Sequence, residues 1–370
     1  MDYFISSEQR KLVEIAESIA KEKILPHRKV FDKEDKFPRE VMQELARTGM
    51  FRIFIPKEYG GTTMGIMDLC LVVEELSRTC AGVGTSYAAT ALASTPIILF
   101  GSEAQKSKYL SRVADGALAS FGLTEPEAGS DASSVKTKAV KDGEFYILNG
   151  TKQWITNGGE AQIYVIFVST APERGPRGMS AIIVERGTVG FSIGKIEEKL
   201  GIRASNTAEL IFEDCRVPVQ NLLAREGAGF LVAMRTFDYT RPGVGALAVG
   251  VAQGAIDEII RHKEVIDLEK YQFIIAELSA KVEAARALVY SVARYADSGA
   301  KDVSVWSAMA KLFASDTAME VTTKAVDIFD LAGCTDRYPI EKMMRDAKIT
   351  QIYEGTNEIQ KVVIARELIR

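Results

Sequence analysis

Residues 162–186 read Gln162-Ile163-Tyr164-Val165-Ile166-Phe167-Val168-Ser169-Thr170, then Ala171-Pro172-Glu173-Arg174-Gly175-Pro176-Arg177-Gly178, then Met179-Ser180-Ala181-Ile182-Ile183-Val184-Glu185-Arg186. Two short runs rich in β-branched and aromatic residues flank a stretch of Pro, Gly and charge. The pattern is strand, turn, strand. The same texture extends outward to LASFGL (118–123), EFYILNG (144–150) and AELIFED (208–214), with turn material at KDGE (141–144) and ERGTVG (185–190). Short strands at regular spacing predict a small antiparallel barrel or sandwich over residues 116–224.

On both sides the period becomes helical. Leu12, Ile15, Ile19 and Ile24 recur at helical intervals, as do Val41, Leu45 and Met50, and then Met67, Leu71, Val72 and Leu76. Charge, Gly and Pro break the pattern near Lys33–Pro38 and Pro56–Thr63. After Arg225-Glu226-Gly227 long helices are expected over about 230–262, 271–297 and 304–331, with a last one after Thr356. The small residues of GVGALAVGVAQGA (243–255) suit close helix packing. They follow no strand and lack GxGxxG spacing, so they are not read as a nucleotide fingerprint. The expectation is an α+β multidomain protein. It has an N-terminal all-α domain (1–115), a middle antiparallel β-barrel or sandwich domain (116–224) and a C-terminal four-helix-bundle domain (225–370).

The 370 residues are 47% hydrophobic and 26% charged, with a net charge of −4, an ordinary globular balance that does not advertise nucleic-acid binding. No run approaches an obvious membrane span, and the charged, amphipathic start is not a secretory signal. Cys70, Cys80, Cys215 and Cys334 are scattered without C-x-x-C spacing, which fits reduced thiols and a cytoplasmic location. His27 and His262 lie in charged, exposed-looking stretches and are the two histidines of the chain, so no metal is expected and a Ser-His triad has almost nothing to draw on. A base would have to be a carboxylate, and difficult chemistry would fall to a bound cofactor.

One carboxylate stands out in Thr350-Gln351-Ile352-Tyr353-Glu354-Gly355-Thr356-Asn357-Glu358-Ile359-Gln360. Glu354 lies between an aromatic residue and a glycine, just ahead of a helix start marked by Gly355-Thr356-Asn357. Taken alone it could be a favourable charge near a helix N-terminus. Two further stretches can also be read plainly. Phe121-Gly122-Leu123-Thr124-Glu125-Pro126-Glu127-Ala128-Gly129-Ser130-Asp131 could be a strand entering a turn. Trp154 of Trp154-Ile155-Thr156-Asn157 could be a core residue.

Together with Met344-Arg345-Asp346-Ala347-Lys348, these three motifs make the chain resemble the acyl-CoA dehydrogenase family over essentially its whole length. The straight-chain, short- and medium-chain members are most similar. The resemblance implies FAD as cofactor, an acyl-CoA substrate, trans-2-enoyl-CoA as product, electron-transfer flavoprotein as acceptor and a homo-oligomer, tetramer or dimer. It implies that Phe121, Leu123 and Thr124 bond the pyrimidine edge of the flavin, that Ser130 faces the pyrophosphate and CoA, and that Trp154 packs on the ring. It places the Thr156 hydroxyl near flavin N5, and Thr356 and Glu358 near the flavin. It makes Glu354 the catalytic base, with its own backbone N–H helping to hold the thioester oxygen and Tyr353 and Gly355 lining the acyl site. Asp238, Tyr239 and Arg241 would contact the CoA and thioester region; a local surface ion pair is the plainer reading of Asp238 and Arg241. Branched-chain relatives carry their base at the position of Thr240, which cannot serve as one. The pocket floor would be Val83–Leu92, with no Arg for a distal carboxylate; Tyr87 would shorten it and the alanines deepen it. An acyl-CoA oxidase, an enoyl-CoA reductase and a non-catalytic CoA-binding relative are the alternatives.

The resemblance also has a gap. Relatives carry an Arg-x-x-Phe-Gly loop and a Gln-x-x-Gly-Gly-x-Gly motif that reach the adenosine end of a neighbour's FAD. Here the corresponding stretches are Arg261–Tyr271, shortened and without Phe-Gly, and Asp327-Ile328-Phe329-Asp330-Leu331-Ala332-Gly333-Cys334. Asp330 would repel a diphosphate, so a looser adenosine end and a smaller or differently packed assembly are expected.

Overall fold

The computed structural model describes residues 1–62 and 65–369; Thr63, the end of one expected break, lies outside them. Helices α1 (Ser7–Ile19), α2 (Arg28–Lys33), α3 (Arg39–Arg47), α4 (Ile66–Thr79), α5 (Ala81–Phe100) and α6 (Glu103–Ala114) come first. The starts of α1 and α6 are set locally. Ser6 and Ser102 each accept from the backbone N–H three residues on, and Gln9 and Gln105 reach back to the cap.

Strands β1 (Ala119–Gly122), β2 (Lys138–Asp142), β3 (Phe145–Thr156), β4 (Ile163–Ser169), β5 (Met179–Glu185), β6 (Phe191–Ile196), β7 (Thr207–Pro218) and β8 (Leu222–Leu223) form one sheet in the order β6-β7-β3-β2-β4-β5-β8. The sheet is mixed rather than wholly antiparallel. β1 runs parallel to β4, and β2 meets β4 in parallel at Lys138 and Ser169. A parallel pair needs a long connection, and residues between β1 and β4 supply it by carrying β2 and β3 away and back. β4 is buried along its whole length. Tyr164, Ile166 and Val168 join a core with Leu148, Leu210 and Phe212, while Ile163, Val165 and Phe167 join another with Ile97, Leu110 and Phe237. Burial on both faces explains why its sequence is a continuous apolar run.

Helices α7 (Gly229–Arg261), α8 (Leu268–Asp297), α9 (Val303–Phe329), α10 (Ile340–Thr350) and α11 (Asn357–Ile369) complete the chain. The bundle recruits α4 across the expected boundary: a Cβ on Gly250 or Gly254 would lie 2.3 Å from the Glu74 carbonyl or 2.2 Å from that of Arg78, so only glycine lets α4 and α7 approach. Among the described residues two helices, α5 and α7, are long and apolar enough to cross a membrane, contrary to the reading that no run comes near; both are mostly buried by their neighbours. His262 is not an exposed side chain either. Its ring packs against Phe329 and Tyr338, 5.9 and 4.7 Å between centroids.

Candidate active site

A cavity of about 480 Å³ lies where α5, the end of β1, the end of β3, α7 and the α10–α11 connection meet. Its wall includes Thr124, Trp154, Thr156, Thr240, Arg241 and Glu354.

The α10–α11 connection positions Glu354. After Thr350 the chain reverses through two consecutive left-handed residues, Glu354 at φ 51° and Gly355 at φ 90°. A Cβ at Gly355 would also meet the Gln360 amide at 2.8 Å, so the glycine is required twice over. A Glu at positive φ is sterically unfavourable and is held by its surroundings. Its carbonyl accepts from Arg241 Nε at 3.3 Å and Gln360 Nε2 at 3.2 Å. Its carboxylate accepts from Thr240 Oγ1 at 2.7 Å.

Burial raises the Glu354 carboxyl to about 6, against the lowering effects of the Thr240 hydroxyl, Arg241 and Lys311. A sliver of its surface faces the cavity, but protein surrounds the group at depth, so desolvation wins. Burial likewise lowers Arg241, with Asp238 and Glu354 opposing, and pushes the Tyr353 phenol far up. A partly desolvated carboxylate near neutrality, facing an apolar cavity, can take a proton from a weak carbon acid.

The opposite wall carries the β1 and β3 ends. Trp154 has φ 61° and is 54% exposed, so it faces the cavity side and is not a core residue. Gln153 N–H donates to the Thr124 carbonyl at 2.9 Å, tying the two strand ends together. Among the described residues no protein group engages the Thr124 or Thr156 hydroxyl. Behind them Lys152, fully buried, donates to the Leu123 carbonyl at 3.1 Å and to Glu125 at 2.6 Å. An exposed indole, two uncommitted hydroxyls and an apolar slot suit a flat heteroaromatic ring with a polar edge. Phe121 packs on Phe167 and Phe237, 4.7 and 5.5 Å between centroids. Ser130 lines the same cavity from an exposed loop.

Other residues expected at the site do not line this cavity. Asp238 is on α7 outside the cavity wall, its carbonyl accepting from Ser307 Oγ at 2.6 Å. With 6% and 4% exposure, Asp238 and Arg241 are no surface ion pair. Tyr239 is half-buried and does not line the cavity. Thr356 accepts from Ile359 N–H at 3.3 Å as a helix cap, and Glu358 is exposed on the first turn of α11. Tyr87 points away from the floor: its hydroxyl donates to the Met50 carbonyl at 2.7 Å and its ring meets Phe51 and Phe54. Ala88, Ala89 and Leu92 line the cavity instead.

Sequence reading gave no role to Lys311 or Gln360, which donate to the Gly355 carbonyl, and took Asn357, which accepts from Lys311, only as part of a helix start. A signal existed: Lys311 is the one charge between Asp302 and Asp316.

Models of the acyl-CoA dehydrogenase N-terminal, middle and C-terminal domains match residues 6–117, 120–215 and 227–369. The chain is 43% identical to the short-chain specific acyl-CoA dehydrogenase of Clostridium acetobutylicum, covering 100% of both. It is 46% identical to the acryloyl-CoA reductase (NADH) of Anaerotignum propionicum, covering 100% of this chain and 96% of that one. Among solved structures, butyryl-CoA dehydrogenase from Megasphaera elsdenii superposes with TM-score 0.97 at 41% identity over 100% of both chains. A chain solved in work on the electron transferring flavoprotein of Acidaminococcus fermentans and flavin-based electron bifurcation has TM-score 0.97 at 46% identity, again over 100% of both. PigA, solved with FAD and proline, has TM-score 0.93 at 26% identity, over 100% of this chain and 99% of that one. The cavity with its buried carboxylate and open indole thus sits in a chain that belongs to the acyl-CoA dehydrogenase family of flavin-dependent oxidoreductases.

Proposed function

We propose that this enzyme carries out α,β-dehydrogenation of a short saturated acyl-CoA, with FAD as cofactor and electron-transfer flavoprotein as acceptor. The observation that carries the reading is Glu354, held over an apolar cavity with its carboxyl raised to about 6. Near pH 7 most of it is ionised and it remains basic enough to abstract an α-proton. Its oxygen Oε2 receives the Thr240 hydroxyl, leaving Oε1 for the substrate proton. Leu69, Leu92, Val244 and Leu247 exclude water around the acyl chain. When bound, the flavin supplies the two-electron acceptor for the hydride from the substrate β-carbon. Trp154 and the Thr124 and Thr156 hydroxyls would hold its ring and polar edge, and Ser130 would face the CoA side.

The relatives named for short-chain and butyryl substrates support a short acyl group. No arginine lies on the α5 floor, which disfavours a substrate with a distal carboxylate. The chain solved in the electron transferring flavoprotein work supports the acceptor. Exposed Trp306, Phe313 and Leu331 support self-association. The similarity to an NADH-linked acryloyl-CoA reductase favours a second reading, in which Glu354 returns a proton to the α-carbon of an enoyl-CoA.

The test is anaerobic titration of the yellow protein with butyryl-CoA and octanoyl-CoA. Bleaching with butyryl-CoA at the lower concentration is expected, and absence of bleaching with any saturated acyl-CoA would overturn the first reading. Reoxidation of the photoreduced protein by acryloyl-CoA, together with electron supply from NADH, would favour the second.

A further inference from the structure

The inference concerns the base of the proposed reaction and rests on that reading. Lys311 lies in the middle of α9 with its side chain fully buried. A buried ammonium without partners is costly, so the contacts it makes define its purpose. Its Nζ donates at 2.9 Å to the Gly355 carbonyl and at 2.9 Å to Asn357 Oδ1. Both acceptors belong to the turn that carries Glu354. Asn357 is fixed in turn, its Nδ2 donating to Ser315 Oγ at 2.9 Å and to Asp316 Oδ1 at 2.8 Å. Gln360 Nε2 closes the arrangement on the Gly355 carbonyl at 2.8 Å. These donors converge on two successive peptide carbonyls at positive φ, where the backbone would otherwise relax.

We propose that Lys311 is a positioning residue for the Glu354 base, its buried ammonium clamping the Gly355 carbonyl and Asn357 so that the strained turn keeps the carboxylate aimed into the cavity. It touches neither the acyl site nor the carboxylate's own hydrogen-bond partner, and acts through the turn. It has a second effect through charge. The charged groups facing it are Glu354, Arg241 on α7, Asp316 on its own helix and Glu358 on α11, with Glu354 the strongest favourable partner. Burial lowers Lys311 to about 7, so in the acid range where Glu354 titrates it carries its proton and favours the ionised base.

Lys311→Met keeps most of the stem and its apolar volume but removes the donors and the charge. In the holoenzyme we expect anaerobic flavin reduction by butyryl-CoA to slow by about 10²-fold, the order assigned to misplacing a catalytic group by an ångström. A non-reducible thioether analogue of butyryl-CoA should bind within a few-fold of wild type, which separates positioning from loss of the acyl site. The acid limb of the rate should move to higher pH. Amide hydrogen exchange over residues 353–360 should quicken, a readout that does not depend on turnover. Wild-type rate, pH profile and exchange in Lys311→Met would overturn the proposal. If that variant does not fold, Lys311→Gln serves, because its amide keeps polar donors in the buried site, on a stem one bond shorter, while the charge is gone. It should displace the acid limb with a smaller effect on exchange; an unmoved acid limb overturns the proposal. A wild-type protein that butyryl-CoA does not bleach speaks against the proposed function, whereas the exchange comparison still judges the clamp.

Discussion

Thr240→Val replaces a hydroxyl by a methyl of nearly the same shape at the position 2.7 Å from the Glu354 carboxylate. The hydroxyl stabilises the ionised form, and a hydrogen bond to a charged group contributes about 1.5–3 kcal/mol. Part of that would persist for the protonated acid, so the differential is about 1.4 kcal/mol, or about one pKa unit. The sign follows from the role: a base works when deprotonated, and removing a donor to the carboxylate raises its pKa. From about 6 in the wild type, the acid limb of kcat/KM should rise to about 7. The deprotonated fraction at pH 6 then falls from about one half to about one tenth, a loss of about fivefold, while above pH 8 the two enzymes converge. The assay is stopped-flow anaerobic flavin reduction with butyryl-CoA between pH 5 and 9. An acid limb that stays in place, or a rate lowered equally at every pH, would refute the claim that this hydrogen bond tunes the base.

Glu354→Gln should retain flavin and acyl-CoA binding but reduce the flavin at least about 10²–10⁴-fold more slowly, read by the same stopped-flow traces. It should also be more stable than wild type by about 1–2 kcal/mol at pH 8. The folded carboxyl is raised from 4.5 to about 6, so ionisation costs the fold as pH rises through that window, and denaturant unfolding below pH 4.5 should show the difference vanish. Thr240→Glu combined with Glu354→Gly should keep measurable dehydrogenation, with branched acyl chains favoured, since the residue 240 side chain reaches the Glu354 carboxylate at the same part of the cavity wall; a folded, flavin-loaded double variant bleached by no acyl-CoA would show the positions are not interchangeable. Asp330 is exposed at φ 52° beside Leu331, which is 81% exposed, where relatives are expected to carry glycines near the adenosine end of FAD. Flavin release should therefore be faster than from the Clostridium acetobutylicum relative, with light scattering reporting a smaller assembly; equal retention in an equal assembly would make these substitutions neutral.

How much could be read without coordinates differs between elements. Alternation of apolar strands with Gly/Pro turns marked the central sheet, because side chains of a strand point to opposite faces and turns need particular dihedrals. The parallel approach of β1 to β4 was hidden, since a local pattern carries no information about strand direction. The α7 glycines announced close packing, but that α4 is the helix admitted there depends on where the chain returns. Glu354 was legible from its motif together with its place before a helix start. Its geometry was not: φ 51° and a carboxyl raised to about 6 by burial, against the lowering effects of Thr240, Arg241 and Lys311, depend on residues that lie 114, 113 and 43 positions away in the chain.

Tyr87, Asp238 and Tyr239 mark the same boundary from the other side. The family resemblance suggested that a tyrosine in α5 narrows the pocket and that an acid and a phenol on α7 meet the substrate. Which face of each helix looks inward is set by helix rotation against its neighbours, and a period of 3.6 residues turns adjacent side chains by about 100°. Thr240 and Arg241 therefore reach the cavity while Asp238 and Tyr239 do not. The sequence by itself determined the order of helical and β segments, the place of the carboxylate ahead of a helix and the family pattern around it, because these depend on local periodicity and residue chemistry. Only the tertiary structure decided how far that carboxyl is shifted and what holds it, because desolvation and hydrogen bonding are properties of groups brought together from distant parts of the chain.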